Sequence, residues 1–204
     1  MTGLATRRFA SRAALESALE ERLARAIAAP SAPALMLSGG TTPLPVYRAL
    51  AARPGLAHAP GLRVLFSDDR YVPPDSPASN YTQAQPLLAA LALPAAAVLR
   101  VRTELPLEDA ARDYQEQLAA LLRSGTRIGL GLLGLGADGH TASLFGAADL
   151  ERARGRLALA VHRPDGMSAV SVTPELLAQV AEPVFVVAGA DKRDAVQRLL
   201  AQDP

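Results

Sequence analysis

Two hydrophobic periodicities alternate along this chain: short apolar runs with the character of buried strands, and longer stripes with the spacing of helices. Across residues 11–29 the apolar positions Leu15, Leu19, Leu23 and Ile27 predict an amphipathic helix, with Glu21 and Arg25 four apart on its polar side. Residues 34–37 read as a buried strand, 43–50 as a second helix and 63–66 as a second strand. Residues 81–91 predict a helix in which Pro86 demands a kink or a late start. A strand is expected over 98–101, followed by a helix whose one face carries Leu107, Ala110, Ala111, Tyr114, Leu118, Leu121 and Leu122. The run 128–135 is too short and too rich in glycine for a helix and suits a strand buried on both faces. Beyond it come a strand at 157–161, an edge-like strand at 169–172, and a helix start at Thr173-Pro174-Glu175, with threonine as cap and proline in the first turn. The last strand is expected at 184–188, and the last helix after Lys192. This alternation, without internal repeats, predicts the α/β class: an open, mostly parallel, Rossmann-like sheet flanked by helices.

The polar residues that interrupt the pattern fall where strands end. Ser38-Gly39-Gly40-Thr41-Thr42-Pro43 joins an apolar strand to a helix. Glycines let backbone N–H groups approach an anion and a helix N-terminus favours negative charge, so the loop reads as a phosphate cradle; it also reads as a tight strand-to-helix turn. Ser67-Asp68-Asp69-Arg70 ends the next strand, and charges there are costly to bury unless they pair or bind something. Residues 128–135 lead into Gly136-Ala137-Asp138-Gly139-His140-Thr141, and the last strand into Gly189-Ala190-Asp191-Lys192. Open α/β sheets bind ligands at the carboxyl ends of their strands, so these exits are expected to converge on one cleft. A histidine there can exchange a proton near neutrality while a carboxylate such as Asp138 orients its ring. Spacing alone leaves His140 equally readable as a core or surface histidine.

Composition narrows the chemistry. Half of the 204 residues are hydrophobic but only 4% are aromatic, so the core must be built mainly of Leu, Ala and Val. A net charge of +1 gives no general field for nucleic acid or membrane, and neither is expected as a partner. The absence of cysteine removes thiolate metal sites and cysteine nucleophiles, and three scattered histidines lack metal-ligand spacing; no metal and no cofactor are expected. Charged residues interrupt the N-terminal segment, so it does not read as a leader, and a cytoplasmic location is expected. The length suits one domain spanning residues 1–204. Gly134 to Gly139 formally satisfies the dinucleotide fingerprint, but the following strand ends at Val161-His162-Arg163, without the acidic residue that motif needs. No P-loop is present, and Gly166-Met167-Ser168-Ala169 lacks the final glycine of a serine hydrolase elbow.

Taken together, Ser38 to Pro43, Asp68-Asp69-Arg70 with Ser79-Asn80, Gly134 through Phe145, and Gly189 to Lys192 resemble the 6-phosphogluconolactonase family, four motifs in the family's order over most of the chain. The resemblance implies a NagB/RpiA-like sheet, no metal, and hydrolysis of a 6-phosphogluconolactone, with His140 as acid/base; Asp138, as the carboxylate that orients it, and Asp68 are the other catalytic candidates. It implies that Ser38, Gly39, Gly40, Thr41, Thr42, Arg70 and Lys192 hold the sugar phosphate, with Arg70 alternatively facing the carbonyl oxygen to stabilise its developing charge. The deaminase-like isomerases share the fold and phosphate loop, but their version of the central motif differs from Thr141-Ala142-Ser143-Leu144; a sugar-phosphate sensor is the third alternative. The chain departs from the family at Asp69, where glutamate is usual, at Gly146, where proline is usual, and at Ala169, where arginine is common. The family also commonly continues past Pro204 into another strand, so the chain is expected to be short at its C-terminus.

Overall fold

The computed structural model describes residues 4–31 and 33–201. In chain order, α1 (Arg12–Ala28) leads to β1 (Ala34–Leu37), α2 (Pro43–Ala52) and β2 (Arg63–Phe66). Then follow β3 (Asp68–Arg70), α3 (Asn80–Ala90), α4 (Leu107–Arg123) and β4 (Ile128–Leu133). The chain continues through α5 (Ala147–Ala153), β5 (Ala158–His162), β6 (Ser168–Val172), α6 (Pro174–Leu177), β7 (Val180–Phe185) and α7 (Arg193–Ala201).

Four strands form a wholly parallel sheet in the order β2-β1-β4-β7. All four residues of β1 are buried, and they alternate in what they touch. Leu35 and Leu37 join α1, α2 and α3 through Leu23, Ile27, Tyr47, Leu50 and Leu87. Ala34 and Met36 join the opposite layer, with Tyr114 and Leu118 of α4 and Val170 and Val172 of β6. A strand apolar at every position is what such two-sided burial requires. Tyr114 also ties the layers together, because its hydroxyl donates to the Phe66 carbonyl (2.5 Å) and accepts from the Phe66 N–H (2.9 Å).

The opposite layer contains a second, three-stranded antiparallel sheet, β3-β6-β5, that local pattern did not announce. Asp68–Arg70 has no apolar signature and is a strand because β6 supplies its partner backbone, Asp69 facing Val170. Residues 169–172, expected at an edge, are instead the central strand, because β3 and β5 pair on either side and both faces of Ala169 to Val172 are covered. The strand expected over 98–101 reduces to one parallel bridge, Val98 to Val64, after which the chain turns at Thr103.

Helix α3 starts upstream of Pro86, not after it, because its N-terminus is fully capped. Ser79 Oγ accepts from the Thr82 N–H, and the Asp69 carboxylate accepts from the N–H groups of Asn80 (2.6 Å) and Tyr81 (3.1 Å). These bonds satisfy the N–H groups a helix start leaves open. Strand β7 begins four residues earlier than expected and tolerates Pro183 because β7 is the edge strand, where a missing N–H breaks no ladder. Among the described residues no helix is long and apolar enough to cross a membrane.

Candidate active site

The carboxyl ends of β1, β2, β4 and β7 surround a cavity of about 170 Å³ whose wall includes Ser38, Gly39, Asp68, Arg70, His140 and Lys192. A larger depression, about 480 Å³, lies beside α4 between Arg63 and Gln117, but it contains none of the strand-exit groups. The chemistry is in the smaller one, where acidic, basic and imidazole groups meet.

At the β1 exit the Ser38 carbonyl accepts from the buried Tyr47 hydroxyl (2.7 Å), which pins α2 to the loop. Gly39 lies so close to α3 that a Cβ there would sit 1.8 Å from Asn80 Oδ1, so no larger residue fits. The rest of the loop is held by other partners. Gly40 donates its N–H to Gln83 Oε1 (3.0 Å), Thr41 is exposed with its carbonyl bound by Arg12 (2.6 Å), and Thr42 precedes α2 without a side-chain cap. Of the five residues assigned to the phosphate cradle, Ser38 and Gly39 face the cavity and Gly40, Thr41 and Thr42 do not line it.

At the β2 exit two adjacent carboxylates are buried and each is hydrogen-bonded. Asp68 accepts from Ser67 Oγ (2.8 Å) and Asn80 Nδ2 (3.2 Å) through one oxygen, and from Ser143 Oγ (2.7 Å) through the other. Asp69 points the other way, under α3, where burial pushes its carboxyl up to about 6 although Asn80, Tyr81 and Ser79 donate to it. Arg70 donates from Nη1 to the Ala78 carbonyl (3.0 Å) and to Asn80 Oδ1 (2.7 Å), while its buried Nε has no partner.

The β4 exit is a tight loop closed by the Gly136 N–H donating to the His140 carbonyl (2.7 Å). His140 Nδ1 lies 2.6 Å from Asp138 Oδ1, and the same oxygen accepts the His140 backbone N–H (3.2 Å). Burial is the largest single influence on the Asp138 carboxyl and raises it, but the bonds from the His140 side chain and backbone together outweigh it and hold the group below the usual range. An ionised carboxylate can only accept, so Nδ1 carries the proton and neutral His140 presents Nε2 as a base. The imidazole also leans on the Phe145 ring, centroids 4.3 Å apart. Glycine at 136 is required, since a Cβ would fall 2.1 Å from His140 Nδ1. Asp138 itself stands behind His140 and does not line the cavity.

Four contributors were not among the assigned site residues: Ser67, Asn80, Ser143 and Arg163. Ser67 and Asn80 line the cavity and hold Asp68; Asn80 had been noted only as part of a motif. Ser143, fully buried, links Asp68 to Arg163, whose Nη1 donates to the same hydroxyl (3.2 Å). Lys192 reaches the wall from the turn after β7, 3.5 Å from Asp191.

The chain is similar to known proteins in sequence and in fold. The sequence model of the family described as glucosamine-6-phosphate isomerases/6-phosphogluconolactonase matches residues 7–204. The chain is 32% identical to a 6-phosphogluconolactonase of Haemophilus influenzae, over 81% of this chain and 72% of that protein. It is 35% identical to one from a Nostoc species, over 82% and 71%. Among solved structures, the 6-phosphogluconolactonase of Thermotoga maritima superposes with a TM-score of 0.78 at 27% identity, covering 97% of this chain and 89% of that one. That of Trypanosoma brucei gives 0.83 at 26% identity, covering 97% and 86%.

Proposed function

Because the chain belongs to the glucosamine-6-phosphate isomerase/6-phosphogluconolactonase family, we propose that it hydrolyses 6-phospho-D-glucono-1,5-lactone to 6-phosphogluconate, in the oxidative pentose phosphate pathway and in the cytoplasm. The observation that carries the reading is His140 on the cavity wall with Nδ1 bound to Asp138, which leaves Nε2 as the proton acceptor.

In this mechanism Nε2 takes a proton from water as the oxygen attacks the lactone carbonyl. The tetrahedral intermediate then collapses, the bond from carbon to ring oxygen breaks, and the imidazolium returns the proton to that oxygen. Asp138 orients the ring and stabilises its charged form, a role that needs a carboxylate ionised throughout. Asp68, fixed by Ser67, Asn80 and Ser143, is a second carboxylate and lies on the same cavity wall as His140. Ser38, the backbone of Gly39, and Lys192 bind the phosphate; Gly40, Thr41 and Thr42 support the loop from outside.

The test is lactone hydrolysis measured against the spontaneous background, with and without the 6-phosphate, beside ammonia release from glucosamine 6-phosphate. The lactonase reading expects acceleration of the phosphorylated lactone and no ammonia. Ammonia release would make the chain an isomerase, and tight binding of the phosphosugar without turnover would make it a sensor.

A further inference from the structure

Among the described residues, three cationic side chains reach the cavity wall, Arg70, Arg163 and Lys192, and they are not equivalent. The Nη1 of Arg70 is fully occupied by Ala78 and Asn80, which makes this guanidinium the tie between β3 and the start of α3. Lys192 is a single flexible ammonium, loosely opposite Asp191. Arg163 is different. Its side chain is only 12% exposed and is fixed on several sides. Nε and Nη2 donate to Asp165 at 2.9–3.2 Å, Nη1 donates to Ser143 Oγ, and the guanidinium stacks 5.2 Å over the Phe145 ring. That ring touches His140 on its other contact, and Ser143 donates to Asp68, so Arg163 is locked to both acid/base groups without pairing directly with either.

A guanidinium has five N–H donors, and these bonds leave one unassigned on each terminal nitrogen. Two donors in one rigid plane suit an oxyanion with several oxygens, and immobilising them beforehand removes the ordering cost of binding. The strand register explains why this arginine matters here. Ala169, fully buried, sits opposite both Arg70 and Val161, so the central strand of the second sheet brings no charge to the cavity. The β5–β6 hairpin supplies one from two residues beyond Val161.

We propose that Arg163 is the specificity-determining cation of the site, donating its two unassigned N–H groups to the phosphate of the substrate, with Lys192 as the adaptable second charge and Arg70 as a positioning residue. This rests on the lactonase reading and refines it. The experiment compares wild type, R163M, R163K and D165N on the phosphorylated and unphosphorylated lactones, with calorimetry of 6-phosphogluconate and gluconate on the same proteins and circular dichroism as a check on folding. R163M is expected to raise KM for the phosphorylated lactone by roughly 10- to 100-fold, the range for losing a charge-assisted hydrogen bond, and to lose far less on the unphosphorylated one. R163K should recover part of the loss, and D165N, which frees the guanidinium without removing it, should show a smaller loss of the same selectivity. Equal losses on the two lactones, or a fall in kcat at constant KM, would overturn the assignment. If wild type hydrolyses neither lactone, the lactonase reading fails by itself, and calorimetry still decides: weaker 6-phosphogluconate binding by R163M supports the proposal, and equal binding or none rejects it.

Discussion

His140 is useful only if its Nε2 is unprotonated and aimed, and both conditions trace to single neighbours. Asp138, held below the ordinary carboxylate range, stays ionised and keeps the proton on Nδ1. His140→Asn should therefore lower kcat by about 10²- to 10⁴-fold with little change in KM. A variant with full turnover in steady-state assays would remove His140 from the mechanism. Gly136 is the second condition. A methyl group at that position would lie 2.1 Å from Nδ1 and 2.3 Å from Asp138 Oδ1, so the pair must separate. Gly136→Ala should lose at least about 10²-fold in kcat, the cost of misplacing a reacting group by an ångström, while the thermal midpoint stays near wild type because the clash is confined to a surface loop. Retained activity would show that the loop adapts around the methyl group.

Among the elements, α3 is the one whose start decides the site, because Asn80 at its first turn touches Asp68, Arg70 and the space beside Gly39. Its anchor is Asp69, buried and pushed up to about 6, chiefly by loss of water and only partly offset by three donors. A carboxyl with a folded value above its unfolded value, about 4, binds its proton more tightly in the folded protein. The ionised form therefore costs stability above pH 6, and that cost is relieved as the pH falls from about 6 towards 4. In denaturant titrations across that range, Asp69→Asn should lack this component, so the difference in unfolding free energy between variant and wild type should change with pH. A constant difference would place the Asp69 proton equilibrium where an exposed carboxyl has it.

At the scale of the molecule, the parallel sheet brings strand ends to one side, and the second sheet closes the cavity from another with Asp68, Arg70 and Arg163. Lys192 arrives from the turn after the edge strand β7. Lys192→Met should weaken the phosphorylated lactone far more than the unphosphorylated one in kcat/KM, by roughly 10-fold for one exposed charge-assisted contact. Equal losses would show that Lys192 supports the turn after β7 and that the phosphate lies elsewhere. The alternation of strands and helices, the buried character of β1 and β4, and the clustering of polar residues at strand ends were all legible in the sequence, because burial imposes a period that a few neighbouring residues reveal. Other features were not legible. Nothing local distinguishes an edge strand at 169–172 from a central one, makes a strand of Asp-Asp-Arg, or directs the Gly40 N–H to Gln83. Those depend on which distant backbone or side chain comes alongside, as when Ser143 meets Asp68 across 75 positions of the chain. Local periodicity records how deeply a residue is buried, while partners at that separation are chosen by the packing of whole layers, which only the tertiary structure decided.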